Sequence, residues 1–232
     1  MSAVTRAAEM PTELDHIFMC ASHNADEADR LTAIGLTEVA ANSHPGQGTA
    51  CRRFFFRNAY LELLWVRDSA EAQSDLVQRI CLWERWKDRS DGACPFGFGL
   101  RPAAQRNCKP PFPIWVYRPP YLTEPLSIGV GSNSDQLTEP LLFYLPFAKR
   151  PDSYPGSQRQ PMDHSAGLRE ITRVELVSPH ADDPSRELKV VIHTNLLRLR
   201  TGTEHLVELG FDGEQQGRKT DFRPALPLIF CW

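Results

Sequence analysis

The chain has 232 residues, enough for one large domain or two small modules sharing a core. Its 41% hydrophobic and 24% charged residues are ordinary for a globular protein. A net charge of −3 gives no electrostatic footing for nucleic acid or an anionic membrane surface, and no apolar run is long enough to cross a bilayer.

The N-terminal MSAVTRAAEMPTE lacks the apolar core of a secretory signal, so residues 1–11 are expected to form a short arm and the protein to be cytoplasmic. LDHIFMCAS (14–22) reads as a strand with Leu14, His16, Phe18 and Cys20 on one face. A helix follows, with Asn24 as its cap, Glu27 completing a capping box, and Ala28, Leu31 and Ile34 at helical spacing up to Gly35. Strands are expected over 36–41, 49–57 and 60–66. Between the first two lies His44-Pro45-Gly46-Gln47-Gly48, whose glycines permit a tight turn with exposed N–H groups. Such a turn either cradles an anionic group of a ligand, with Arg52 or Arg53 adding charge, or is simply a structural hairpin. Strand alternation sends only one of Arg52 and Arg53 inward.

Within 60–66, Glu62 is the single acid among Tyr60, Leu61, Leu63, Leu64 and Trp65. An acid in so apolar a run must be paired, protonated or bound to a metal. Residues 67–94 form a connection with a helix expected over 75–88, its Leu76, Ile80, Trp83 and Trp86 facing the sheet or a second subunit of a homodimer. FGFGLRP (96–102), IWVYRP (114–119) and LLFYLPF (141–147) read as strands. The polar stretch 148–166, which contains His164, is long enough for a mobile loop or lid.

Further strands are expected over 171–178, 190–199 and 205–211, with a short helix over 179–188. ITRVELVSP can be laid on LDHIFMCAS, and HLVELGF on YLELLWV. This weak repeat puts Glu208 in the place of Glu62 and Arg173 in that of His16. The apolar tail, 213–232, is expected to dock on the body or a partner. Six cysteines without CxxC spacing are read as reduced thiols, not a zinc ribbon or a disulfide framework.

Three segments together, Leu14-Asp15-His16-Ile17, His44-Pro45-Gly46-Gln47-Gly48-Thr49-Ala50 and Leu61-Glu62-Leu63, resemble the glyoxalase-like group of the vicinal oxygen chelate superfamily. Cys51 departs from the Asn typical of the group. The resemblance implies an α+β fold of paired βαβββ modules forming an open, U-shaped barrel: a first module at 12–66 and a second, decorated one at 95–212. It also implies a divalent metal held by His16, Glu62 and Glu208, with Arg173 unable to ligate. His44, Gly46, Gly48, Arg52, Arg53 and Arg173 would then bind a small oxygen-rich or carboxylated molecule. Glu62 and Glu208 would carry proton transfer in a lyase or isomerase step. A His-Glu-Glu set argues against ring-cleaving dioxygenase chemistry, which uses two histidines and one carboxylate. No nucleotide cofactor is expected. The competing reading is a metal-free binding or sequestration protein of the drug-resistance type; at the site itself, the plain alternative is an inward Glu62 paired with Arg173 or Arg53 and His16 hydrogen-bonded nearby.

Overall fold

The structure is a computed structural model that describes residues 12–103 and 109–232; the arm at 1–11 and Cys108 lie outside the described residues. Its strands are β1 (Thr12–Cys20), β2 (Val39–His44), β3 (Thr49–Phe55), β4 (Tyr60–Val66), β5 (Phe96–Pro102), β6 (Ile114–Tyr117), β7 (Ile128–Gly131), β8 (Leu141–Tyr144), β9 (Ile171–Ser178), β10 (Arg198–Thr201), β11 (Leu206–Phe211), β12 (Lys219–Asp221) and β13 (Leu228–Cys231). Four short helices accompany them: α1 (Asp29–Ala33), α2 (Ser69–Ala72), α3 (Leu82–Lys87) and α4 (Arg186–His193).

β1 to β8 form one open sheet in the order β2-β3-β4-β1-β5-β8-β7-β6. β1 runs parallel to β4, and β3 and β2 follow antiparallel outward. On the other side β5 runs parallel to β8, and β7 and β6 follow in the same way. The two halves meet at the antiparallel β1–β5 pair. The fold is therefore α+β with paired modules, and the second half lies at 96–144. In a flat sheet the seven steps from β2 to β6 would span roughly 34 Å. Yet Tyr117 of β6 hydrogen-bonds Gln47, just beyond β2, so the sheet must curl into a U.

Alternation gives the sheet two different faces. Ile17, Met19, Phe54, Leu61, Leu63, Phe96, Phe98, Leu100 and Leu142 form the main core. They pack with Val174, Leu176, Val207, Leu209, Leu228 and Phe230 of a second sheet, ordered β10-β9-β11-β13-β12. Phe18, Cys20, Cys51, Leu64, Tyr117, Val130, Leu141 and Phe143 form a separate cluster on the inner face of the U. The tail is built into the second sheet, where β13 lies between β11 and β12.

Several local expectations are corrected. Asn24 does not cap α1: it takes a positive φ of 68° inside the 3-10 turn His23–Ala28, and Ser22, just before that turn, donates its N–H and hydroxyl to the Glu27 carboxylate. The helix expected over 75–88 is broken at Cys81, with φ 57°, and Leu76 is exposed. Val190–Ile192 belong to α4, not to a strand. Ser185 caps that helix, and Leu188 and Val191 bury at helical spacing.

The stretch 148–166 is fastened to the first half. Thr37 N–H donates to His164 Nδ1 at 2.9 Å, so the ring carries its proton on Nε2 and donates it to Phe55 O at 2.9 Å. Asp152 N–H and Ala166 N–H bond the carbonyls of Arg57 and Gly35. Burial lowers the His164 pKa from its ordinary 6.5, and burial pushes His205 down to about 4. The unfolded chain takes up these protons near pH 6.5 and the folded chain does not, so their contribution is complete above pH 6.5 and is lost as pH falls below it. Denaturant unfolding from pH 7.5 to 5 should show stability falling below about pH 6.5. The fall should be shallower in His164→Gln.

Candidate active site

The site begins with a bulge. In the β1–β5 pairing Leu14 faces Leu100 and His16 faces Gly99, so Asp15 is an extra residue. It turns its carboxylate alongside its neighbour, and His16 Nδ1–H donates to Asp15 Oδ2 at 2.7 Å. A carboxylate only accepts, so His16 presents Nε2 to the cavity. Arg101, 1% exposed, holds the network from behind. It donates to Asp15, Glu13 and the carbonyls of Leu14 and Asn58. Tyr60 stacks on the imidazole with centroids 4.3 Å apart.

Two glycines of FGFG make room for this arrangement. Phe96 and Phe98 point to the core, leaving Gly97 and Gly99 on the inner face. A Cβ on Gly99 would sit 2.6 Å from Phe143 and 3.1 Å from His16, and one on Gly97 would overlap the Phe18 ring.

Glu62, only 6% exposed, is the centre of the cluster. Its Oε2 lies 3.6 Å from His16 Nε2, and its Oε1 lies 3.9 Å from His44 Nε2. These separations exceed hydrogen-bond lengths, so the three groups converge without pairing off. His44 is steered by Thr49 Oγ1, 2.9 Å from its Nδ1, and packs beside Tyr121. Burial lowers the His44 pKa below 6.5 despite the opposing pull of Glu62, which keeps the imidazole neutral at pH 7. The Cys51 thiol joins them: donor atoms of His44, Cys51 and Glu62 all lie within 4.8 Å of one another. Burial, then the Glu62 charge, hold that thiol protonated, far above its ordinary value.

These residues sit at one end of a cavity of about 630 Å³. Asn42, Gln47, Tyr117 and Tyr121 complete its polar part, and both tyrosine hydroxyls donate to Gln47 Oε1. Phe18, Leu64, Ile128, Val130, Leu141 and Phe143 form the rest of the wall.

Of the residues expected at the site, His16, His44 and Glu62 come together. The others do not. Arg52 points away and pairs with Glu38 and Asp29. Arg53 shares the Glu62 face of the β3–β4 pair, but it donates to Ala40 O and lies over the Phe55 ring, off the cavity wall. The Gly46 and Gly48 N–H groups already bind an anion from within the chain, the Glu71 carboxylate, at 2.8 and 3.1 Å. Arg173 and Glu208 lie in the second sheet: Arg173 binds Glu214, and Glu208 binds Arg200. The repeat that suggested them fails on strand direction, because β9 and β11 are antiparallel where β1 and β4 are parallel. The true counterpart of β4 is β8, which offers Leu141 and Phe143 and no second carboxylate. His44 therefore supplies the second histidine, and the donor-count argument against two-histidine, one-carboxylate chemistry no longer holds.

Residues 14–98 match the family of glyoxalase-like domains. That stretch of the chain is similar to a glyoxalase-like domain. The resemblance drawn from LDHI, HPGQGTA and LEL to the vicinal oxygen chelate fold thus stands. Among solved structures, a hypothetical protein from Staphylococcus aureus is similar, with TM-score 0.53, 12% identity, and coverage of 94% of this chain and 98% of that one. A xylose isomerase-like TIM barrel/4-hydroxyphenylpyruvate dioxygenase fusion protein gives TM-score 0.46 and 12% identity, over 91% of this chain and 38% of that one. No curated protein matches the chain. Among the described residues no helix is long and apolar enough to cross a membrane.

Two glycines give a direct test of this packing. Gly97→Ala should cost about 1–3 kcal/mol in urea unfolding by crowding Phe18. Gly156→Ala, which faces open space, should stay within about 0.5 kcal/mol of the parent.

Proposed function

We propose that the cavity binds a small organic molecule by an oxygen-bearing end, and that His16, His44 and Glu62 hold a divalent metal there. The observation that carries this is the convergence of two imidazoles and one carboxylate, mutually unpaired, at the polar end of an otherwise apolar cavity. The donor set fits: Asp15 leaves His16 Nε2 unprotonated, burial keeps His44 neutral, and a carboxylate completes a set common for zinc, iron or manganese. When bound, such an ion polarises a carbonyl or enediolate oxygen as a Lewis acid.

The chain's own groups supply the rest. Asp15 and Arg101 fix the His16 ring, and Tyr60 and Phe143 close over it. A Glu62 oxygen is placed to accept a proton from a carbon next to the carbonyl, which makes a lyase or isomerase step the favoured reaction. Free thiols at Cys20, Cys51, Cys81, Cys94 and Cys231 suit a reducing, cytoplasmic setting. The second reading, ligand sequestration without metal, is favoured by the apolar wall, which can hold a ligand while His44 and Glu62 only hydrogen-bond it.

Metal analysis of protein purified without chelator or affinity tag separates the two. We expect close to one divalent ion per chain, a lower melting temperature after EDTA, and at least about tenfold weaker metal affinity in Glu62→Gln and His16→Ala. Metal-free protein whose melting temperature EDTA leaves unchanged would support sequestration instead.

A further inference from the structure

We infer that the ligand of this cavity is neutral and largely apolar beyond its oxygen-bearing end, an aromatic or alkyl compound with no carboxylate or phosphate on its body. The inference deepens the proposed function and rests on it only for which end of the ligand meets His16, His44 and Glu62.

The groups near the cavity that could recognise an anion mostly bind elsewhere or stay off its wall. Among the described residues lining the cavity there is no lysine or arginine. Arg52 is consumed by Glu38 and Asp29 on the outer side of β3. Arg53 is drawn off toward Ala40 O and Phe55. The amides of the His-Pro-Gly-Gln-Gly turn are closed by Glu71. The charged acid on the wall is Glu62, which repels a second carboxylate. An anionic substituent buried against the apolar wall, away from the polar end, would lose its hydration and find no counter-charge there.

The asymmetry of the two halves says where the body of the ligand lies. The first half provides His16, Asn42, His44, Gln47, Tyr60 and Glu62. The matching positions of the second half carry Gly97 and Gly99 on β5 and Leu141 and Phe143 on β8. With Ile128 and Val130 of β7 these make a continuous apolar surface opposite the polar cluster. A volume of about 630 Å³ holds a bicyclic or longer molecule rather than a three-carbon aldehyde.

Two probes that differ in one substituent test this, 6-methyl-2-naphthol and 6-hydroxy-2-naphthoate, titrated calorimetrically at pH 7.5 into protein treated with EDTA, so that the carboxylate cannot bind by ligating a metal. The naphthol should bind, and the naphthoate should bind at least about 100-fold more weakly. Comparable or tighter binding of the naphthoate overturns the inference, as does failure of the naphthol to bind at millimolar concentration. The same pair on Glu62→Gln separates the wall from the polar end. A gap that persists assigns the preference to the apolar surface and stands even if no metal is found. A gap that collapses to within about threefold assigns it to the Glu62 charge alone and overturns the role of the wall. Val130→Lys adds a counter-charge and should narrow the gap at least about tenfold; should it not fold, the wild-type comparison still decides.

Discussion

A carboxylate held inside a sheet organises this molecule. Glu62 is surrounded by residues that bury on folding, and two imidazoles and a thiol face it. Each of those groups needs its own support. His16 is held by Asp15, Asp15 by Arg101, and Arg101 by three further oxygens at the start of β1 and the β3–β4 turn. His44 is held by Thr49, which also accepts from Gln47, and Gln47 reaches the tyrosines of the opposite half. The polar chain thus runs from the back of the sheet, through the cavity, to the far edge of the U.

Pairing two halves of like topology would permit two equivalent sites, and the chain has built one. The first half keeps the two histidines and the carboxylate, and the second supplies two tyrosine hydroxyls and much of the apolar wall. Glycine at 97 and 99 is part of that division of labour, since side chains there would fill the space the rings of Phe18 and Phe143 occupy. The second sheet stays out of the chemistry and seals the outer face. Asn58 fastens it by donating to Ile171 O and accepting from Ile171 N–H at the start of β9.

The internal repeat fails for a definite reason. Two strands of similar apolar pattern look alike whether they lie parallel or antiparallel to their partners, because alternation records the face and not the direction. Glu208 matched Glu62 in pattern and lies in another sheet beside Arg200. The turn at 44–48 misled in a related way. Its glycines do create an anion-binding concavity, but the anion is Glu71, 23 residues further along the chain from Gly48.

Local chemistry by itself determined a good deal. The period-two pattern put His16 and Phe18 on one face, the lone acid in an apolar strand marked Glu62, and the glycine turn marked His44 as a bend next to a strand. Those are properties of neighbouring residues and the backbone geometry they permit. The tertiary structure alone decided which of these meet: a bulge at Asp15 aims one imidazole, the curl of eight strands brings β6 over β2, and the pairing of Arg52 with Glu38 and of the glycine turn with Glu71 keeps both off the cavity wall. Each depends on contacts between segments far apart in sequence, and no local pattern encodes them.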